Sequence, residues 1–216
     1  MTDGIDRRRF DGGEALATRG PPVYGEPTSD GWRRWSVGRS KLANMIDRGM
    51  PIELASADRV LYLGAASGTT VSHVADVVDR VYAVEFAAGP IRSLLDVAAD
   101  RPNVIPLLKD ARRPAHYGHV VEANLDVIGQ DVATRDQAAV ATANARYLAP
   151  DGTLVIAVKA RSEDVAADPA DVFASVRERL SDAFEILATD RLDPHHRDHL
   201  GIVARPRDRT ALVDGG

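Results

Sequence analysis

Cysteine is missing from the 216 residues, so disulfides and thiolate metal sites are excluded. Long apolar runs are missing as well, and no stretch is long enough to cross a bilayer as a helix. The first ten residues, Met1 to Phe10, are polar and charged, unlike a secretory leader, so a cytoplasmic protein with no membrane contact is expected. Positive charge is short too. The net charge is −5, whereas a free-standing nucleic-acid binder is usually basic. Any RNA contact should therefore be local or delivered by a partner. Lysine is scarcest of all: Lys41, Lys109 and Lys159 stand alone among 27 basic residues. Arginine keeps its proton near neutral pH, whereas a desolvated lysine can lose it. Each lysine is thus a candidate for chemistry, with Lys109 read as a chance surface residue.

What is present is an alternation of apolar runs and helical patterns, ample for one α/β domain with a small appendage. Its centre is Leu61-Tyr62-Leu63-Gly64-Ala65-Ala66-Ser67-Gly68-Thr69-Thr70. The run Val60 to Leu63 reads as a buried parallel strand that breaks into small residues, and Thr69 or Thr70 then opens a helix. Small residues at such a turn (Gly64, Ala65, Ser67) let a ligand approach the backbone closely, and free helix-start N–H groups face the same place. Glu85 follows Gly64 by 21 residues, ending the run Val81-Tyr82-Ala83-Val84. That spacing suits a carboxylate that meets a ribose hydroxyl. The glycine order is Gly64-x-x-x-Gly68, with Ala65 where a dinucleotide fingerprint has its second glycine, and no Walker lysine follows Gly68. An adenosine with an amino-acid tail and no pyrophosphate fits better, which points to S-adenosyl-L-methionine.

Along the chain, residues 1–20 read as a poorly ordered tail, 21–54 as a small β appendage with a linking helix capped by Ser40, and 55–205 as the main domain. Residues 206–216 read as a second tail. Trp32 and Trp35 either pack the appendage onto the main domain or stack on a base. Strands are expected at Val104–Leu108, Asp126–Ile128, Thr153–Val158, Phe184–Ala188 and His199–Ala204, with a turn at Pro150-Asp151-Gly152. The expected fold is a doubly wound, Rossmann-like, mostly parallel sheet with one antiparallel strand. Gly64, Glu85, Asp110, Asp131 and Lys159 all fall at carboxyl ends of strands, where such sheets bind ligands. Asp110 either contacts an adenine amino group or caps a loop. Arg33, Arg34, Arg39, Arg112, Arg113 and Arg161 are the cations expected near the mouth.

These segments resemble the archaeal fibrillarin family, RNA 2′-O-methyltransferases of box C/D ribonucleoproteins. The resemblance runs from about Val23 to Arg205 and rests on Val23-Tyr24-Gly25-Glu26, Arg39-Ser40-Lys41-Leu42-Ala43, Tyr62 to Thr70, Val84-Glu85-Phe86, Asp131-Val132-Ala133 and Arg197-Asp198-His199. It implies a class I methyltransferase fold with a small N-terminal β domain. It also implies cofactor contacts at Thr69, Thr70, Glu85, Phe86, Asp110, Ala111 and Asp131 through Val132, Ala133 and Thr134. The family usually has glutamine where this chain has Thr134; Gln137, three residues on, is a possible substitute. The implied partners are a guide RNA with its target rRNA or tRNA, a Nop-domain scaffold protein and, indirectly, a kink-turn-binding ribosomal-type protein.

The resemblance further implies a reacting set of Lys41, Asp131, Lys159 and His199, with no metal. A ribose hydroxyl must lose or share its proton before it attacks a methyl group in line with the departing sulfur. A lysine amine serves as base when burial and a nearby cation favour its neutral form. Lys159 is the expected base, Lys41 the neighbouring cation, and Asp131 the orienting carboxylate. His199 either holds the lysine or substrate, or is a hydrogen-bonded core histidine. A protein or small-molecule methyltransferase and a non-enzymatic scaffold remain as other readings, and the missing second glycine disfavours a dinucleotide dehydrogenase.

Overall fold

The computed structural model describes residues 4–207; the expected tail at 206–216 lies almost wholly outside them. The chain opens with β1 (Ile5–Phe10) and β2 (Gly13–Arg19), paired antiparallel from Ile5↔Thr18 to Phe10↔Gly13. This corrects the expectation of a poorly ordered segment through residue 20. The hairpin signal is Asp11-Gly12-Gly13, with both glycines at positive φ, flanked by sparse apolar residues. Ile5, Phe10, Leu16 and Ala17 are nonetheless buried. Of the arginine run, Arg7 pairs with Asp47 at 2.6 Å and Arg8 lies over the Trp32 ring at 4.5 Å. The strands β3 (Thr28–Ser29) and β4 (Trp32–Arg34) complete a four-stranded sheet ordered β1-β2-β4-β3. Both tryptophans are buried, Trp35 stacking on His73 at 5.0 Å. They pack rather than wait for a base.

Helix α1 (Lys41–Asp47) follows, its first turn held by Ser40, whose Oγ accepts from the Ala43 N–H. The main sheet then forms from β5 (Arg59–Leu63), β6 (Arg80–Glu85), β7 (Val104–Leu108), β8 (Leu125–Gln130), β9 (Leu148–Lys159), β10 (Phe184–Arg191) and β11 (His199–Pro206). Its order is β10-β11-β9-β8-β5-β6-β7, and β11 alone runs against its neighbours. The intervening helices are α2 (Thr69–Ala75), α3 (Ala88–Asp100), α4 (Gln137–Asn144), α5 (Ala160–Glu163) and α6 (Pro169–Ser181). The expected turn at Pro150-Asp151-Gly152 lies inside β9. The β8–β9 register jumps there from Leu125↔Leu148 to Val127↔Thr153, so the extra residues bulge within a longer strand.

Alternation along each strand fills two apolar layers. Val60 and Tyr62 belong to one layer with Leu42, Met45, Val71 and Val74, while Leu61 and Leu63 belong to the other with Ile128, Val140, Phe173 and Val176. Each fully buried aliphatic side chain contributes roughly 1.5–3 kcal/mol. With both faces covered, the strand ends are what remain open, and β5, β6, β7, β8 and β9 all point their carboxyl ends the same way.

Candidate active site

At the end of β5, Gly64 takes φ +84°. A Cβ there would run into the Asp131 carbonyl, so the position admits glycine alone. The Asp131 N–H donates to the Leu63 carbonyl at 2.9 Å, stitching the ends of β5 and β8 together. Ala66 also sits at positive φ, and its N–H donates to Glu85 Oε2 at 2.8 Å. Glu85 Oε1 accepts from the Ala87 N–H at 2.7 Å. The carboxylate that ends β6 thereby braces the loop that follows β5.

Beyond these ends opens a cavity of about 470 Å³, within the usual range for a small-molecule site. Gly64 enters it from β5, Glu85 and Phe86 from β6, Asp110 and Ala111 from the loop after β7, and Asp131, Val132, Ala133 and Thr134 from the loop after β8. Phe86 is 68% exposed and presents an apolar face at the cavity. Arg112 grips both Asp110 oxygens, at 3.0 and 2.7 Å, and holds that carboxyl below the usual carboxylate range. Ala65, Ser67, Thr69 and Thr70 do not line this cavity. Ala65 is buried, Ser67 offers its carbonyl to the Tyr24 hydroxyl, and the Thr70 hydroxyl donates to Ser40 Oγ at 3.0 Å. Thr69 borders a second hollow of about 220 Å³ beside Arg39 and Trp35.

Next to the cavity, Lys41 at the start of α1 reaches Asp131 Oδ2 at 2.8 Å, each side chain about a quarter exposed. Lys159 ends β9 in register with His199 of β11. Among the described residues, Lys41 has an ion-pair partner and the Lys159 amine has none. His199 Nδ1 lies 2.7 Å from the Arg197 carbonyl, which can only accept, so Nδ1 carries the proton. Its Nε2 is then a buried lone pair without a partner among the described residues. Burial holds His199 below its ordinary pKa despite the Arg197 bond, with the Lys41 and Asp131 charges acting on it in opposite directions. The same two charges reach His196, whose ring meets His199 edge-on at 6.0 Å. Lys41, Asp131 and His199 therefore share one neighbourhood, and strand pairing brings Lys159 to its border.

Three of the cations expected at the mouth already have ion-pair partners, and Arg112 among them lines the cavity. Arg33 is fully buried and bonds Asp76 at 2.7 Å, Arg112 holds Asp110, and Arg161 pairs with Asp198 at 3.1 Å. Arg34 and Arg39 border the second hollow.

A model of the fibrillarin family matches residues 14–208. The chain belongs to the fibrillarin family. A fibrillarin-like rRNA/tRNA 2′-O-methyltransferase of Halorubrum lacusprofundi is 58% identical over 204 residues, covering 94% of this chain and 96% of the relative. Among solved structures, a fibrillarin in complex with Nop5p superposes with a TM-score of 0.89 at 43% identity, over 96% of this chain and 99% of that one. Aeropyrum pernix fibrillarin with natively bound S-adenosyl-L-methionine has a TM-score of 0.80 at 39% identity, over 94% and 100% of the two chains.

Three residues take places at the site other than the sequence pattern assigns them. Lys109, expected to be a chance surface residue, lines the cavity. Ala66 supplies the N–H that Glu85 holds, which its place in the small-residue run allowed one to suspect. Gln137 is buried and bonds the Lys159 backbone, a role without any signal in the local pattern.

Proposed function

We propose that the chain is the S-adenosyl-L-methionine-dependent RNA 2′-O-ribose methyltransferase of a box C/D guide ribonucleoprotein that modifies rRNA and tRNA. The observation that carries this reading is the double engagement of Asp131. Its residue lines the cavity, and its carboxylate holds the Lys41 amine. Cofactor site and amines thus meet at one side chain.

The cavity fits the cofactor by its own chemistry. Glu85 presents a carboxylate at a ribose hydroxyl's expected place, Phe86 offers an apolar face to a base, and bare Gly64 lets the tail approach the backbone. When bound, S-adenosyl-L-methionine supplies an electrophilic methyl on a sulfonium, which moves to the ribose 2′-oxygen as the C–S bond breaks. In this reading Lys159 takes the proton that the hydroxyl gives up. Lys41, fixed by Asp131, steers the oxygen and stabilises the negative charge that develops on it. His199, with Nδ1–H tied to Arg197, offers Nε2 as an acceptor that orients a donor at the site.

The acidic chain carries few free cations around this mouth, so choice of target belongs to a guide RNA. Docking belongs to a Nop-domain scaffold, as the related fibrillarin solved with Nop5p supports. A kink-turn-binding protein completes the particle by anchoring the guide. Reconstitution with guide RNA and both proteins, with methylated riboses mapped, tests this. Lys159→Ala should lower guided methylation by about 10²–10⁴-fold while cofactor affinity stays within about twofold. Site-specific methylation by the isolated chain without a guide would overturn the division of labour.

A further inference from the structure

Gln137 opens α4 and is completely buried. Its side-chain amide is fully engaged with one residue: Oε1 accepts from the Lys159 N–H at 2.9 Å, and Nε2 donates to the Lys159 carbonyl at 3.0 Å. Those are the two bonds a neighbouring strand would give. The strand β8 cannot give them, because its pairing with β9 ends at Gln130↔Ile156. On the opposite side β11 continues, with His199 in register and the Ala160 N–H donating to the Asp198 carbonyl at 3.0 Å. The glutamine amide therefore stands in for the missing end of β8, and the backbone of Lys159 is gripped from both sides.

The grip is itself anchored at both ends. The Gln137 N–H donates to Glu163 Oε1 at 2.6 Å, and Glu163 lies in α5, immediately after Lys159. The Gln137 carbonyl accepts from Gln130 Nε2 at 2.8 Å, and Gln130 immediately precedes Asp131. A closed path thus runs from the carboxylate that holds Lys41, through Gln130 and Gln137, to Lys159. With its amide used in this way, Gln137 is no substitute for a glutamine that contacts the cofactor. We propose that Gln137 is a positioning residue: it fixes the backbone from which Lys159 reaches the substrate, and so sets that amine against the Lys41–Asp131 pair. The proposal rests on the reading above that Lys159 serves the reacting hydroxyl.

The test uses the reconstituted particle and Gln137→Met, which keeps length and apolar volume and removes the amide. Misplacement of a reacting group by about 1 Å costs on the order of 10²-fold, so kcat should fall about 10–100-fold. KM for RNA and cofactor affinity should stay within about twofold. A second readout is independent of turnover. Lysine-selective ¹⁵N labelling gives signals from Lys41, Lys109 and Lys159 alone. In Gln137→Met the Lys159 amide should lose hydrogen-exchange protection, while Lys109, whose N–H donates to the Glu85 carbonyl at 3.0 Å, keeps it. Gln137→Glu keeps the acceptor, and its protonated carboxyl can also donate to the Lys159 carbonyl. Its activity relative to the unaltered chain should therefore rise as pH falls, which keeps the proposal testable even if the methionine variant does not fold. Unchanged kcat in Gln137→Met, or loss of Lys109 protection together with Lys159, overturns the proposal. So does a flat relative pH profile for Gln137→Glu. Full activity in Lys159→Ala would instead remove the assigned role of Lys159, and the exchange data would still decide the clamp.

Discussion

Helix α2 joins two clusters of charge that are built on opposite plans. Toward its C-terminal end, Asp76 takes the Arg33 and Arg101 guanidiniums and the Thr18 hydroxyl, with Glu26 and His73 alongside. The side chains of Arg33, Asp76, Glu26 and Arg101 are all at most 7% exposed. Toward its N-terminal end, Thr70 bonds Ser40, the cap of the helix that carries Lys41. There the Lys41–Asp131 pair is about a quarter exposed, and the Lys159 amine and His199 Nε2 are both unpaired among the described residues. The first cluster satisfies its own members and fastens the N-terminal sheet to the main domain. The second leaves charge and lone pairs for something else to meet. Equal chemistry thus serves attachment where it is closed and reaction where it is left open.

Removing the hub of the closed cluster should have the largest effect. Asp76→Ala strands two buried guanidiniums and should cost about 3–5 kcal/mol of stability in denaturant titrations, with little change in cofactor affinity of the folded fraction. A loss below about 1 kcal/mol would mean that the cluster contributes no more than a surface pair. Gly64→Ala strikes the open side. The added Cβ meets the Asp131 carbonyl at a backbone angle only glycine tolerates, so calorimetry should find cofactor affinity lowered about 10–100-fold, or about 1.4–2.7 kcal/mol. Glu85→Gln turns a carboxamide NH2 donor toward one of the two N–H groups from which the carboxylate now accepts. About a tenfold weaker Kd, near 1.4 kcal/mol, is expected, with guided kcat at saturating cofactor nearly unchanged.

The smallest effect is a pH dependence that belongs to the closed side. Burial, reinforced by the Arg33 and Arg101 charges, holds His73 far below its ordinary value of 6.5. The unfolded chain therefore binds a proton that the folded chain refuses. This stabilisation is complete above pH 6.5 and declines as pH falls below it. Between pH 7 and 6 the loss from this group should stay under about 1 kcal/mol, and His73→Phe should flatten that part of the stability profile. The profile retains contributions from His196 and His199, both also held below their ordinary value by burial.

The parallel strands and their carboxyl-end residues were legible because short apolar runs and small-residue turns report local geometry directly, whereas an antiparallel strand was expected but only sheet pairing shows that it is β11. The hairpin of β1 and β2 was not, since its apolar residues are few and Arg7-Arg8-Arg9 resembles a solvated run. Arg33, expected among the cations near the mouth, is buried instead. Its burial depends on Asp76, 43 residues away, which local pattern cannot supply.

By itself the sequence determined the strand-to-helix turn at Gly64, the carboxylate at Glu85 and the scarcity of lysine that singles out Lys41 and Lys159. These are properties of neighbours in the chain. Tertiary structure alone decided that Asp131 holds Lys41 across 90 positions, that Gln137 grips Lys159 across 22, and that Arg33 is closed off inside. A side chain's partner depends on which strand ends the sheet order brings together, and that order follows from packing both faces of the sheet at once.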